Sequence, residues 1–208
     1  DYRQLARTMT DVAFWANTAQ NLTGTGEPVR LTVGLVSANT FDVLGTRPLL
    51  GRTFNPADEG LNGPPIAMIG YGLWQSQFGG DRELVGRRIV LNDVPVEVVG
   101  VMPEGFRLPT DFTQDASEPT QLWRPLRLNV FNRVARTFYA AAVLAPGQSP
   151  ETATAELRAI TQRLTEQGAY DRQMQFTAFA VGFDEEIRGG LRPSMWLLTG
   201  AVGFLLLI

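Results

Sequence analysis

Apolar and polar positions alternate most cleanly over residues 28–36, where Val29, Leu31, Val33 and Leu35 share one face of a strand. The run before it, 13–23, alternates through Phe14, Ala16 and Thr18, and Gly24-Thr25-Gly26 separates the two, so the pair reads as a hairpin. Ahead of the hairpin, Tyr2, Leu5, Met9 and Val12 recur at helical spacing and predict an amphipathic helix. A short helix over 37–44 follows, capped by Ser37 or Asn39 and stopped at Gly45. Residues 46–65 carry so many glycines and prolines that they read as loop.

Regular structure returns with a buried strand at 66–69 and a helix at 71–78, which turns Leu73, Trp74 and Phe78 inward and ends at Gly79-Gly80. Asp81 is placed to cap a further turn carrying Leu84 and Val85. Residues 88–91 and 94–101 flank Asn92-Asp93, the signature of a two-residue hairpin, and Pro95 assigns the second strand an edge or a bulge. The polar segment 109–120 reads as an exposed loop. Strands are expected over 121–128 and 136–145, the latter alanine-rich enough that a helix is an alternative. Ser149, Pro150 and Glu151 open the clearest helix, with Ala153, Leu157, Ile160 and Leu164 on one face and Gly168 as its stop. A strand over 174–181 completes a strand-helix-strand unit with connections long enough for a parallel pair.

The last stretch changes the picture. Residues 193–208, PSMWLLTGAVGFLLLI, carry no charge and leave no polar face for water. The run is shorter than the ~20 residues of a membrane span, and it is expected to be the start of one, with Trp196 as an interfacial aromatic. A buried terminal helix is the alternative. Asp184, Glu185 and Glu186 sit where a preceding helix would begin.

Composition narrows the chemistry. The 208 residues include no cysteine and no histidine, and all 18 basic residues are arginine. The chain therefore holds no cysteine nucleophile, no Ser-His triad, no His/Cys zinc site and no lysine Schiff base. A net charge of −3 argues against a nucleic-acid face, and no P-loop motif occurs. The 21 acidic residues are scattered, which disfavours a paired-carboxylate hydrolase. Asp58 and Glu59 read as a solvated turn rather than calcium ligands. Trp74 and Phe78 could form a binding platform, but their helical spacing makes them core anchors; Trp74, Trp123 and Arg124, candidates for lining a pocket, read as packing residues. No catalytic, cofactor or metal site is expected.

Three stretches carry a family resemblance: VSANTFDVLGTRPLLGRTF (36–54), YGLWQSQFGGD (71–81) and VGRRIVLNDVPVEVVGVMPEGF (85–106). They resemble the periplasmic core domain of MacB-type ABC transporter permeases, whose membrane part is FtsX-like. The tail LLTGAVGFLLLI is similar to the start of the second membrane helix, which follows the core domain in that family. The resemblance implies an α+β fold with a porter-like α/β subdomain at 1–37 and 136–192. It also implies an inserted β-rich, Sabre-like subdomain at 38–135 and a truncated membrane helix at 193–208. It further implies a non-enzymatic domain on the periplasmic side of the inner membrane, coupling ATP hydrolysis by an ABC ATPase domain or subunit to work outside. A homodimer, a periplasmic adaptor and an outer-membrane channel are the implied partners, with no cofactor and no nucleic acid. A membrane-anchored ligand-binding or sensor module is the alternative, and it would require a pocket of converging polar groups.

Overall fold

The computed structural model describes residues 5–24, 26–112, 118–127, 138–170 and 177–183. The chain divides after Ala145 into two compact units. The first contains all eight strands described: β1 (Met9–Thr23), β2 (Val29–Val36), β3 (Leu50–Gly51), β4 (Ile66–Ile69), β5 (Arg88–Leu91), β6 (Val94–Val101), β7 (Leu122–Pro125) and β8 (Tyr139–Leu144). It also holds two short helices, α1 (Thr40–Val43) and α2 (Tyr71–Phe78). Helices with strands in one connected sheet make the fold α+β, as the resemblance implies.

The strand pairings close on themselves. β1 and β2 form the antiparallel hairpin, β2 pairs β7 in parallel, and β7 pairs β4 antiparallel. β4 then pairs β6 in parallel, and β6 pairs β5 antiparallel. The last two residues of β5 are brought back to β1, Val90 beside Thr23 and Leu91 beside Leu22. The circuit therefore runs through six strands and leaves few open edges among them. At 15 residues, β1 is long enough to serve both the circuit and an extension, its first half pairing β8 across 9–15. β1, β2 and β8 thus hydrogen-bond into the same sheet as β3 to β7.

Local chemistry explains how the circuit is built. Asn92 and Asp93 both take positive φ, 46° and 63°, the backbone of a tight primed hairpin turn. That turn is also stitched to β1: the Asn21 amide donates to Asn92 Oδ1 at 2.8 Å, and the Asn92 amide donates to the Asn21 carbonyl at 2.9 Å. Pro95 pairs Val90, while β4 joins β6 only from Glu97 onward, so the missing proline N–H breaks no ladder bond on that side. A bulge in β6 lets Ala67 face Val98 and Met68 face Gly100. α2 ends on left-handed Gly79, with Gly79 and Gly80 donating to the carbonyls of Gln75 and Trp74.

Two apolar cores lie on opposite faces of the central strands. Leu22, Leu31, Val33, Ala67, Ile69, Val96, Val98 and Leu122 pack on one side with Leu73 and Trp74 of α2. Trp15, Val36, Phe41, Phe54, Ile66, Met68, Leu108 and Trp123 pack on the other. β4 contributes to both, which is why its four residues are all buried and show no alternation.

In the second unit, α3 (Pro150–Glu166) has the expected start. The Thr152 amide donates to Ser149 Oγ, the Ser149 amide donates back to Thr152 Oγ1, and Pro150 occupies the first turn. Gly168, at φ 74°, follows its end. No described helix is long and apolar enough to cross a membrane.

Two elements differ from expectation. Residues 9–12, placed in an N-terminal helix by their spacing, belong to β1, because β8 supplies hydrogen-bonding partners that a local pattern cannot reveal. Residues 177–181, placed in a strand, form no ladder; Thr154 Oγ1 instead accepts from the Ala180 amide at 2.9 Å and donates to its carbonyl at 3.3 Å. Residues 1–4 of the expected helix, 174–176 of the expected strand, Asp184–Glu186 and the apolar tail 193–208 lie outside the described residues.

Candidate functional site

The three aromatic residues singled out for possible binding are packing residues in the first unit. Trp74 is buried, its indole N–H donating to the Asp81 carbonyl at 2.8 Å, with Tyr71 edge-on at 5.7 Å. Phe78 is half-buried against the same core. Trp123 is 1% exposed and sits edge-on to Phe41 at 6.2 Å and Phe106 at 5.2 Å. None of the three offers a free aromatic face to a ligand.

A polar junction lies where β1 passes the start of α1. The Ser37 amide donates to the Phe14 carbonyl at 2.8 Å, and the Phe14 amide donates to Ser37 Oγ at 2.9 Å. Asn39 Nδ2 then donates to Asp11 Oδ1 at 2.6 Å and to the Val12 carbonyl at 3.0 Å. Glu59 Oε1 accepts from the Ala38 amide. Chain neighbours alone could not have revealed this, since Asn39 and Asp11 are 28 residues apart.

Asp58 corrects the reading of a solvated turn. Its side chain is 5% exposed and meets the Arg52 guanidinium in a fork, at 2.7 and 3.3 Å. Its Oδ2 also accepts from the Asn55 amide at 2.8 Å, and Asn55 caps the short turn Pro56–Asp58 in return. Burial alone would raise the Asp58 pKa. The Arg52 hydrogen bond, the Asn55 amide and the Arg52 charge outweigh it, so the pKa falls below its ordinary value. The Arg52 pKa rises, chiefly through the same hydrogen bond.

This pair has a pH signature. A carboxylate whose folded pKa is depressed contributes stability that is complete above its unfolded pKa, about 4, and is lost as pH falls through the folded value. Denaturant midpoints measured on acidification below about pH 4 should therefore fall more steeply for the unaltered chain than for Asp58→Asn. Parallel acid limbs would assign the acid sensitivity to other carboxylates.

The 109–120 segment also departs from an exposed loop at its described ends. Thr110, Asp111 and Thr120 are buried. Asp111 accepts from the Leu108 amide at 2.8 Å, and from the Thr120 amide and hydroxyl at 3.1 and 2.8 Å. Thr110 Oγ1 accepts from the Trp15 indole at 3.1 Å. A buried aspartate leaves no mark in a polar run, so composition could not single it out.

Arg124 is the remaining unusual side chain. It is two residues beyond Leu122 on β7 and so shares the inward face of the circuit. It is half-buried and reaches Gln20 Oε1 at 3.3 Å. Burial lowers its pKa, and the positive charge of Arg127 adds to the effect. Among the described residues no three His, Cys, Asp or Glu side chains come together in a group able to hold a metal ion.

Comparison with known proteins gives this fold its relatives. The extracellular domain of the noncanonic ABC-type transporter YknZ from Gram-positive bacteria superposes with a TM-score of 0.57 at 17% identity, covering 84% of this chain and 80% of that one. The periplasmic region of MacB from Actinobacillus actinomycetemcomitans gives 0.58 at 13% identity, covering 83% and 79%. At these identities the likeness establishes the fold. In sequence, the Pyoverdine export ATP-binding/permease protein PvdT of Pseudomonas syringae pv. syringae (strain B728a) is 32% identical over 109 residues. That alignment covers 52% of this chain and 14% of the relative. The counterpart from Pseudomonas savastanoi pv. phaseolicola (strain 1448A / Race 6) is 31% identical over the same length. Residues 1–160 match the model of the MacB-like periplasmic core domain, and the chain belongs to that family.

Proposed function

We propose that this chain is the extracytoplasmic domain of an ABC-type export permease and acts as a non-catalytic coupling element. The observation that carries the reading is the family match across residues 1–160. Cysteine, histidine and lysine, three groups common in nucleophilic and acid–base catalysis, are missing from the chain. Cytoplasmic nucleotide binding, by a fused or separate ATPase, would shift the packing of membrane helices, and this domain would follow as a body. The closed strand circuit suits that task, since a ring of hydrogen-bonded strands transmits a displacement instead of absorbing it. Residues 193–208 serve as the beginning of a membrane helix in this reading, and the working unit is a homodimer. An adaptor and an outer-membrane channel would take the cargo onward.

The test uses the full-length permease made free of cysteine, with one introduced by Leu61→Cys at a position 65% exposed. Labelling by a membrane-impermeant maleimide in intact cells is expected. Labelling only after lysis would sink the extracytoplasmic assignment. Spin labels on the same cysteine in both copies report the coupling: their separation should change between ATP-bound and nucleotide-free states. An unchanged separation would remove the coupling role while leaving the location intact.

A further inference from the structure

A guanidinium carries five donors and a charge that cannot be shed near neutral pH. Placed on an inward face, it ordinarily comes with a carboxylate, because an unpaired charge away from water is costly. Arg124 has none. Its one hydrogen bond among the described residues goes to a neutral amide, Gln20 Oε1. Burial, and after it the charge of Arg127, work against the charged form, and no carboxylate among the described residues offsets them.

Strand order places the pair on the inner face of the circuit. β1 and β7 are not neighbours; β2 lies between them, pairing both. The hydrogen bond that Arg124 on β7 donates to Gln20 Oε1 on β1 therefore passes over β2 on its inward face. Gln20 is two residues from Leu22 and Arg124 two from Leu122, and both leucines belong to the enclosed core. The polar pair thus sits on the wall of the circuit, at the border between the enclosed core and solvent.

Sequence points the same way. No Asp or Glu occurs between Glu118 and Glu151, although the chain as a whole is acidic. That run carries Arg124, Arg127, Arg133 and Arg136. The segment that supplies the guanidinium therefore supplies nothing to neutralise it. Arg127 is exposed and uses one nitrogen on the carbonyls of Gly63 and Pro64, at 2.8 and 3.2 Å.

We propose that Arg124, flanked by Gln20 and Arg127, is a binding site for a small oxyanion, either a carboxylate or a phosphate. The fork of Arg124 would take two oxygens side by side, the Gln20 amide would orient the group, and Arg127 would add long-range attraction. The site is independent of the coupling role, because it concerns what the domain holds and not how it moves.

Purified full-length protein would be titrated with inorganic phosphate and, separately, with succinate, at ionic strength held constant with chloride. Calorimetry and thermal unfolding are the readouts. Saturable binding of at least one anion is expected, with a rising unfolding midpoint as the site fills. Phosphate alone, or succinate alone, identifies the chemistry. Arg124→Gln should abolish that response while remaining at least as stable as the parent in chloride, since it deletes an unneutralised charge. Arg124→Lys should bind about tenfold more weakly, because an ammonium cannot fork onto two oxygens. The proposal fails if neither anion binds, or if Arg124→Gln responds as the parent does. It also fails if Arg124→Gln unfolds in chloride, which would make the arginine a packing residue.

Discussion

Replacing Trp123 with alanine is expected to lower the unfolding free energy by about 3–5 kcal/mol, as for other fully buried aromatics. A domain of this size has roughly 5–15 kcal/mol in total, so the loss takes a large share of it. Trp123 holds the second core together: Phe41 from α1 and Phe106 from the loop after β6 both meet its ring edge-on. Its cross-strand partner on β2 is Gly34, and a side chain there would collide with Trp123, Leu108 and Thr120. The glycine is the hollow into which the indole fits. Chemical denaturation reads the effect as a fall in midpoint with little change in slope. Trp123→Phe separates packing from polarity. It keeps the aromatic contacts and deletes an indole N–H that is buried without a hydrogen-bond partner. Its cost should stay under about 2 kcal/mol. A loss below about 1 kcal/mol for the alanine variant would show that the two faces of the sheet do not depend on this ring.

Local signals carried much of the fold, and the reason is visible element by element. The helix at Tyr71–Phe78 ends on glycines whose positive φ only a left-handed cap requires, and the Asn92-Asp93 turn needs two residues tolerant of that region. Such features depend on a few adjacent residues, so a reader of the chain can find them. Ser149 and Pro150 belong to the same class. The closure of the strand circuit does not. Leu22 beside Leu91, and Val33 beside Leu122, are pairings across long separations, and no period in the sequence encodes them. Met9 and Val12 illustrate the cost. Their spacing fits a helix face equally well, and only β8 decides for a strand.

Polar residues were harder still. Asp58 sits in a proline- and glycine-rich run and Asp111 in a polar one, and both contexts describe exposed loops on average. What buries them is a partner elsewhere: Arg52 for the first, Thr120 for the second. Arg124 reads from the sequence as a packing residue, whereas in the fold it is a half-buried guanidinium whose described partner is a neutral amide. Its lack of a carboxylate shows in the sequence only as the acid-free run around it. The aromatic residues were legible because a large apolar side chain at the right period has few places to go.

Asp111→Ala should cost a further large amount, about 3–5 kcal/mol, although the side chain it removes is small. Asp111 is 7% exposed and is the acceptor for three donors: the Leu108 amide, the Thr120 amide and the Thr120 hydroxyl. Truncation leaves all three in a region water does not reach freely, and each stranded donor costs roughly 1–3 kcal/mol. Asp111→Asn distinguishes loss of acceptors from loss of shape. The amide oxygen can still serve Thr120, but the amide nitrogen would face the Leu108 N–H donor to donor. One bond of three is then lost, and the expected cost is about 1–2 kcal/mol. Thr120→Val tests the hydroxyl separately and should cost no more than the asparagine variant. The ordering Asp111→Ala above Asp111→Asn is what matters, and denaturant midpoints resolve it. Equal losses would mean that the carboxylate fills space and does not organise the segment. The ordering would instead make Asp111 the clasp that ties the turn after Leu108 to the entry of β7, the strand that carries Arg124 into the circuit.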